Sequence, residues 1–186
     1  MSNEASGATA AAVTTWEFDP AHSHAQFKVR HMMISNVKGG FTGLAGTVKW
    51  DADITKSSVE ATINVTSINT REPQRDAHLK SADFLDAEHY PTITFHSTKI
   101  SRTEDGALEM TGDLTIRGVT KPVTLLVEGP TPETKDPWGN TRVGVEATTT
   151  IDRKDFGLTW NSTLESGGVL VGDKVNITVD AELIKK

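Results

Sequence analysis

Apolar and polar residues alternate with a period of two along most of this chain, as they do in half-buried β-strands. Between residues 24 and 31, for example, one face carries Ala25, Phe27, Val29 and His31. The same alternation returns in seven further long segments, at residues 44–50, 59–66, 92–96, 108–116, 123–127, 143–151 and 175–183. A shorter segment at 15–19 opens the series. The pattern predicts an all-β protein.

Turn-forming residues such as Asp105-Gly106 and Gly129-Pro130 separate these segments. One face is apolar throughout, which favours antiparallel strands over buried parallel ones. Eight such strands can close into a barrel that has no exposed edge and holds one small ligand. A two-sheet sandwich with a solid core satisfies the same alternation. Glycines between residues 39 and 46 fall in and just before one strand, where they indicate curvature.

The alternation stops between Arg71 and Ser97, where charged residues stand among large apolar ones. An irregular, charged insert between strands is a usual place for a ligand entrance or for chemistry. Pro73 is a suitable first helical residue, and residues 74–81 are long enough for two turns. Ser81 can then cap a second short turn that ends at Phe84. The sequence therefore predicts one short helical insert.

The length of 186 residues fits one domain, which we place at residues 15–186 behind a disordered tail at 1–14. A net charge of -6 argues against binding to nucleic acid. No run is long and apolar enough for a transmembrane segment. The chain lacks cysteine, which excludes disulfides and thiol catalysis. The N-terminus does not resemble a secretory signal, so we expect a cytoplasmic location.

Two groups of residues invite a chemical interpretation. His22 and His24 lie two residues apart, as in some zinc sites, but no thiol or carboxylate framework completes the set, so we predict no metal and no other cofactor. Asp76 and His78 suggest an acid–base pair that acts on a small apolar substrate. No nucleophile motif accompanies them, so we predict no catalytic residue and keep the enzyme as an alternative.

Other charged residues have both a binding and a structural interpretation. Arg71 and Arg75 can each bind a phosphate or form an ion pair with Asp76 that holds the insert in place. His31 shares the apolar face of its strand, where it is either a core histidine or a group that orients a ligand. The run of mixed charge at residues 152–157 is expected to be a solvated turn with local ion pairs.

Five motifs in one order resemble the YceI-like polyisoprenoid-binding proteins, over roughly Trp16 to Leu183. They are FDPAHS at residues 18–23, the V-x-G-x-F pattern at 37–41, the insert from Arg75 to Phe95, GDLTIRGVTKPV at 112–123 and DRKDFGL at 152–158. This resemblance implies a lipocalin-like, extended eight-stranded antiparallel β-barrel. It also implies a long cavity for an isoprenoid chain, such as a polyprenyl phosphate or a quinone tail. Many family members are secreted to the periplasm.

We therefore expect a carrier, storage or sensing protein for an isoprenoid lipid or another long apolar ligand. The predicted ligand-binding residues, chosen from strand phase and from the insert, are Phe27, Val29, His31, Val48, Trp50, Ile63, Arg71, Arg75, His78, Phe84, Phe95, Leu114 and Val145. The arginines and His78 would lie near the polar head of the lipid. A solid-core barrel for protein interaction is a further alternative. Trp138 lies in a turn and, if it is exposed, allows a homodimer.

Overall fold

The computed structural model describes residues 11–186 and consists of strands with one α-helix. The strands are β1 (Thr14–Phe18), β2 (His24–His31), β3 (Ser35–Phe41), β4 (Leu44–Trp50), β5 (Ser58–Asn64), β6 (Ile68–Asn69), β7 (Thr92–Arg102), β8 (Leu108–Ile116), β9 (Val119–Glu128), β10 (Thr134–Lys135), β11 (Thr141–Asp152) and β12 (Val171–Lys185). The helix α1 (Pro73–Lys80) lies between β6 and β7. Short 3-10 helices cover Ile54–Lys56, Val65–Ser67 and Arg153–Phe156.

The strands close into an eight-stranded antiparallel barrel, as predicted. The ring runs β1, β4, β5, β7, β8, β9, β11 and β12, and β12 returns to pair with β1. β2 continues the line of β1 along β12, β3 pairs with β2, and β6 pairs with β3. Three of the eight strand positions are therefore filled by two shorter strands in succession, which lengthens the barrel.

One end of the barrel carries most of the irregular structure, and we call it the insert end. It contains the β2–β3 turn, α1 and the residues after it, the β8–β9 turn, and the connection from β11 to β12 at residues 153–170. The opposite end contains the β4–β5, β7–β8 and β9–β11 connections and both described chain termini. The antiparallel order dictates this division because successive connections alternate between the two ends.

Two local features differ from the sequence prediction. β3 is a separate strand, whereas the sequence pattern predicts its segment only as the curved approach to the next strand. Two of its residues are Gly39 and Gly40, and a Cβ atom at Gly39 would lie 2.6 Å from Cζ of Phe27, so a ring from β2 fills the space of the missing side chain. The predicted strand at 59–66 ends at Asn64, because Asn64 caps the 3-10 helix that follows.

The predicted helical insert is present. α1 begins at Pro73. The Glu72 side chain caps it by accepting hydrogen bonds from the backbone amides of Gln74 and Arg75. It ends before Ser81, and the Phe84 backbone amide donates to the Ser81 carbonyl at 3.0 Å in the predicted second turn. Phe84 and the adjacent Leu85 are buried, so the insert is anchored to the barrel by apolar side chains.

The core has two parts. The larger cluster contains residues of the insert end such as Phe84 and Phe156, and the smaller one surrounds Trp16 at the opposite end. The predicted tail at 1–14 falls mostly outside the described residues, and β1 already begins at Thr14. Within residues 11–186, no helix has the length and apolar character needed to span a membrane.

Candidate functional site

The barrel encloses a cavity of about 430 Å³. Its lining includes Ile54 and Pro130 at one end of the barrel and Trp160 and Leu170 at the insert end, so the cavity extends along the barrel axis. The size is within the range of pockets that hold small organic ligands. Because the alternating strand residues point inward without filling this space, the interior is not a solid core.

Most of the residues predicted to bind a ligand lie on this cavity. Those in its lining are Phe27, Val29, His31, Val48, Trp50, Ile63, Arg75, His78, Phe84, Phe95, Leu114 and Val145. The strand residues among them are placed there by the period-two alternation, which directs every second side chain inward. Arg71 is not in the lining. It is exposed on the surface, with a left-handed backbone at φ 65°.

The polar residues of the lining are concentrated near the insert end. The lining is otherwise apolar, and its polar members are Gln26, Arg30, His31, Ser57, Arg75, His78, Thr149 and Arg153. Arg30 and His31 end β2, Arg75 and His78 belong to α1, and Arg153 follows β11. The surface that faces the cavity is nevertheless almost entirely apolar, because these residues contribute mainly carbon atoms to it, and Arg30 is exposed on the outside of the barrel.

His78 connects the insert to the β11–β12 connection across this end of the cavity. Its Nε2 lies 2.8 Å from Oδ2 of Asp83, which fixes the ring orientation. The ring edge packs against Trp160 with 4.7 Å between centroids and against Phe84 with 5.1 Å. The His78 side chain is 39% exposed and also lines the cavity, so it borders both solvent and the interior.

Arg75 and Asp76 both bind Thr70 rather than each other. Arg75 donates from Nε to the Thr70 hydroxyl at 2.8 Å and from Nη2 to the Thr70 carbonyl at 2.7 Å. Asp76 accepts from the Thr70 backbone amide at 2.8 Å. These bonds pin α1 to the end of β6, and among the described residues Arg75 keeps Nη1 for a further partner. Asp76 and His78 are thus held by different residues and do not form an acid–base pair.

Arg153 is a lining residue that the sequence analysis missed. It is 4% exposed and donates to the backbone carbonyls of Gly172, Leu158 and Trp160 at 2.7 to 2.9 Å. Burial lowers its pKa, while Asp173 at 3.7 Å acts in the opposite direction. The expectation of a solvated turn at 152–157 is therefore wrong for Arg153, and Phe156 is buried as well. The signal was present, because extending the inward phase of β11 by two residues beyond Ile151 reaches Arg153.

The histidines proposed for zinc each have a separate carboxylate partner. His22 lies 2.9 Å from Asp19 and His24 lies 3.5 Å from Asp180. The other histidines that could complete such a site are also paired with carboxylates: His78 with Asp83, His89 with Asp86 and His96 with Glu60. Within residues 11–186, Asp19, His22 and Glu182 form the one group with metal-like spacing. The carboxylates of Asp19 and Glu182 already bind the Arg142 guanidinium, at 2.5 and 2.7 Å. The positive charge of Arg142 therefore takes the place that a metal ion would need.

Comparison with known sequences places residues 16–183 in the YceI-like domain. A UPF0312 protein of Staphylococcus aureus (strain MSSA476) is 38% identical over 172 residues, which is 91% of this chain and 97% of that protein. A UPF0312 protein of Ectopseudomonas mendocina is 42% identical over 139 residues, which is 74% of this chain and 72% of the relative.

Solved structures share the fold. The YceI protein of Campylobacter jejuni is 32% identical with a TM-score of 0.70, over 84% of this chain and 90% of that one. BcnA of Burkholderia cenocepacia has a TM-score of 0.74 at 24% identity, over 89% and 98%. A polyisoprenoid binding domain from Saccharophagus degradans, implicated in plant cell wall breakdown, has a TM-score of 0.66 at 14% identity, over 93% and 99%. The last two show likeness of fold alone.

Proposed function

Because this chain belongs to the YceI-like family, we propose that it binds an isoprenoid lipid inside the barrel, as a carrier, storage or sensing protein. The observation that carries this proposal is the apolar cavity of about 430 Å³ along the barrel axis. A flexible isoprenoid chain matches a long, apolar cavity better than a compact polar metabolite does. The name of the structurally similar domain from Saccharophagus degradans agrees with a ligand of this class.

The tail of the lipid supplies most of the binding free energy in this proposal. Burial of apolar carbon contributes about 0.8 kcal/mol per methylene. Ordering a flexible chain and losing free translation reduce that gain substantially. Several isoprene units are therefore needed, and the ligand is a polyprenyl phosphate or the tail of an isoprenoid quinone.

The head of the lipid is proposed to lie at the insert end. Arg75 directs Nη1 away from its bonds with Thr70, and His78 borders both cavity and solvent. An arginine donor and a histidine suit a phosphate oxygen or a quinone carbonyl. Arg71 lies outside the lining, so it is a predicted contact only for a head group that protrudes from the barrel.

A binding role is proposed in preference to catalysis. Asp76 and His78, the residues of the enzyme alternative, are each engaged by a separate structural partner. The cytoplasmic location and a homodimer through Trp138 stay predictions. Trp138 itself is 82% exposed, which agrees with the exposed turn expected for it.

The test is organic extraction of the purified protein, with mass spectrometry of the extract. Ala61→Phe places a ring in the cavity from β5, whereas Thr62→Phe, one residue further on, places the same ring on the outer face. We expect an isoprenoid lipid at near-stoichiometric amount from the wild type and from Thr62→Phe, and a loss of about tenfold or more from Ala61→Phe.

Two results would contradict the proposal. One is an extract without isoprenoid lipid even after incubation of the protein with polyprenyl phosphate and with a long-chain quinone. The other is equal lipid content in Ala61→Phe and Thr62→Phe when circular dichroism shows that both are folded, because the lipid would then lie outside the barrel.

A further inference from the structure

Four exposed apolar side chains form a patch at the insert end. Ile34 is 74% exposed, Met33 59%, Met32 39% and Val169 42%. The first three belong to the β2–β3 turn and Val169 belongs to the β11–β12 connection. The two segments are joined, because the Met32 amide donates to the Leu170 carbonyl at 2.8 Å and the Met33 sulfur lies against Gly168. We call Met32, Met33, Ile34 and Val169 the tip patch.

The backbone geometry of the β2–β3 turn does not favour the residues that occupy it. The Ile34 amide donates to the His31 carbonyl at 3.1 Å, and Met32 and Met33 have φ of 50° and 62°. Three residues separate the paired His31 and Ser35, and two successive left-handed residues in such a turn favour Asn and Gly. Two methionines here oppose both the backbone preference and the usual polarity of a turn. The backbone geometry of the turn therefore does not explain these two residues.

The charge around the tip patch selects the kind of surface. From residue 24 to residue 50 there is no Asp or Glu, although the chain as a whole has a charge of -6. Lys28, Arg30 and Lys38 are exposed on the β2–β3 hairpin, and Lys28 lies directly opposite Lys38. Like charges in such a pair are destabilising unless an anion offsets them. The adjoining loop at residues 161–170 adds a single acidic residue, Glu165, so basic residues outnumber acidic ones in these two segments.

The tip patch is also continuous with the mouth of the cavity. His31, next to Met32, lines the cavity, and so do Leu170 and Val171 beyond Val169. Lys28 and Lys38 lie three residues from the His31–Ser35 pair, or about 10 Å along the strands. A flat anionic surface that receives the tip patch would therefore lie within about one Debye length of these lysines.

We propose that the tip patch docks this protein on an anionic phospholipid bilayer. Met33 and Ile34 enter the boundary between head groups and acyl chains, while Lys28, Arg30 and Lys38 face lipid phosphates. Docking in this orientation sets the insert end of the cavity against the membrane. This inference extends the proposed function but does not require any particular ligand in the barrel.

Flotation with vesicles tests the inference, using delipidated protein and vesicles of phosphatidylcholine with or without a third of phosphatidylglycerol. The wild type should float with the mixed vesicles and lose about tenfold in binding without phosphatidylglycerol or in high salt. Lys28→Gln with Lys38→Gln should reduce the dependence on phosphatidylglycerol. Trp138→Ser is the control, because it removes an exposed apolar side chain at the opposite end.

The decisive variant combines Met32→Asn, Met33→Gly and Ile34→Ser. It supplies the residues that the turn geometry favours, so its melting temperature should be unchanged or higher while vesicle binding falls about tenfold. Flotation of this folded variant at the wild-type level would overturn the inference, as would a wild type that does not float. A vesicle-independent dimer that this variant abolishes would overturn it too, by assigning the tip patch to a second copy.

Flotation and lipid extraction test the docking inference and the proposed ligand separately. A protein that yields isoprenoid lipid but does not float refutes docking alone. A protein that floats through the tip patch but yields no isoprenoid lipid refutes the proposed cargo alone.

Discussion

Arg142 joins three carboxylates that lie far apart in the sequence. Its guanidinium contacts Asp19, Asp136 and Glu182 at 2.5 to 2.7 Å, with its own side chain 17% exposed. The hydrogen bond from Arg142, and then that from His22, lowers the pKa of Asp19 to about 2. This cluster fastens the break between β1 and β2 to β11 and β12, so one arginine holds four parts of the barrel.

Asp19→Asn should weaken the fold and change its response to acid. A lowered carboxyl pKa stabilises the folded state above the unfolded value of about 3.9, and this contribution is lost as pH falls towards about 2. With allowance for solvent screening, we expect a loss of about 1 to 2 kcal/mol at pH 7. Urea unfolding at pH 7, 4 and 2 measures both effects.

The comparison for this prediction is Glu109→Gln, on the exposed face of β8. It should leave the free energy of unfolding at pH 7 nearly unchanged. If Asp19→Asn loses stability between pH 4 and pH 2 as steeply as the wild type, the ion pair with Arg142 does not contribute to the acid response.

The connection from β11 to β12 depends on a buried arginine. Arg153 binds backbone carbonyls on both sides of the connection, including Gly172 at 2.8 Å and Leu158 at 2.7 Å. These carbonyl oxygens are all acceptors, so each needs a donor and none can satisfy another. The arginine therefore replaces secondary structure in a segment that also supplies Phe156 and Trp160 to the cavity wall.

Arg153→Met should destabilise the protein by about 3 kcal/mol or more, because several buried carbonyls lose their donor. Arg153→Lys should restore little of this, since one ammonium group cannot span carbonyls that a planar guanidinium reaches. Lys154→Met is the matched control at a half-exposed neighbour. Urea unfolding of the three variants distinguishes them, and equal midpoints for Arg153→Met and Lys154→Met would contradict the role.

On the scale of the whole molecule, the barrel leaves an apolar space that side chains do not fill. An unfilled apolar space forfeits dispersion contacts, so a bound chain should restore part of this stability. The tip patch, together with Arg75 and His78 in the nearby lining, distinguishes the insert end of the barrel from the opposite end. A lipid tail would extend from the insert end towards Ile54 and Pro130.

Removal of the lipid should lower the melting temperature. A ligand present at about a hundred times its dissociation constant stabilises the folded state by about 2.7 kcal/mol. For a chain of 186 residues this corresponds to a shift of about 5 to 10 °C. Calorimetry of loaded and delipidated protein measures it. Ala61→Phe should show no difference between the two preparations, and an equal shift in that variant would point to a ligand outside the cavity.

Much of this architecture was predictable from the alternation of residues. The inward phase of Phe27 and Val29, of Phe95 and of Val145 follows from local periodicity, and the structure places all four on the cavity. Gly39 and Gly40 concealed β3, because strand prediction depends on side chains that a glycine lacks. Proximity in sequence predicts that Arg71 and Arg75 lie together, but Arg71 has a left-handed backbone and Arg75 lies in α1, so only Arg75 reaches the cavity.

The sequence alone determined the strand faces, the helical insert and the all-β class, because each depends on residues within a few positions of one another. Tertiary structure decided the rest. The Arg142–Asp19 pair joins residues 123 positions apart, and the contact of His78 with Trp160 joins the insert to the β11–β12 connection. The burial of Arg153 and the contact between the two segments of the tip patch also depend on residues that are distant in the sequence. Such contacts arise only when the barrel closes, since closure brings together chain segments whose local patterns are unrelated.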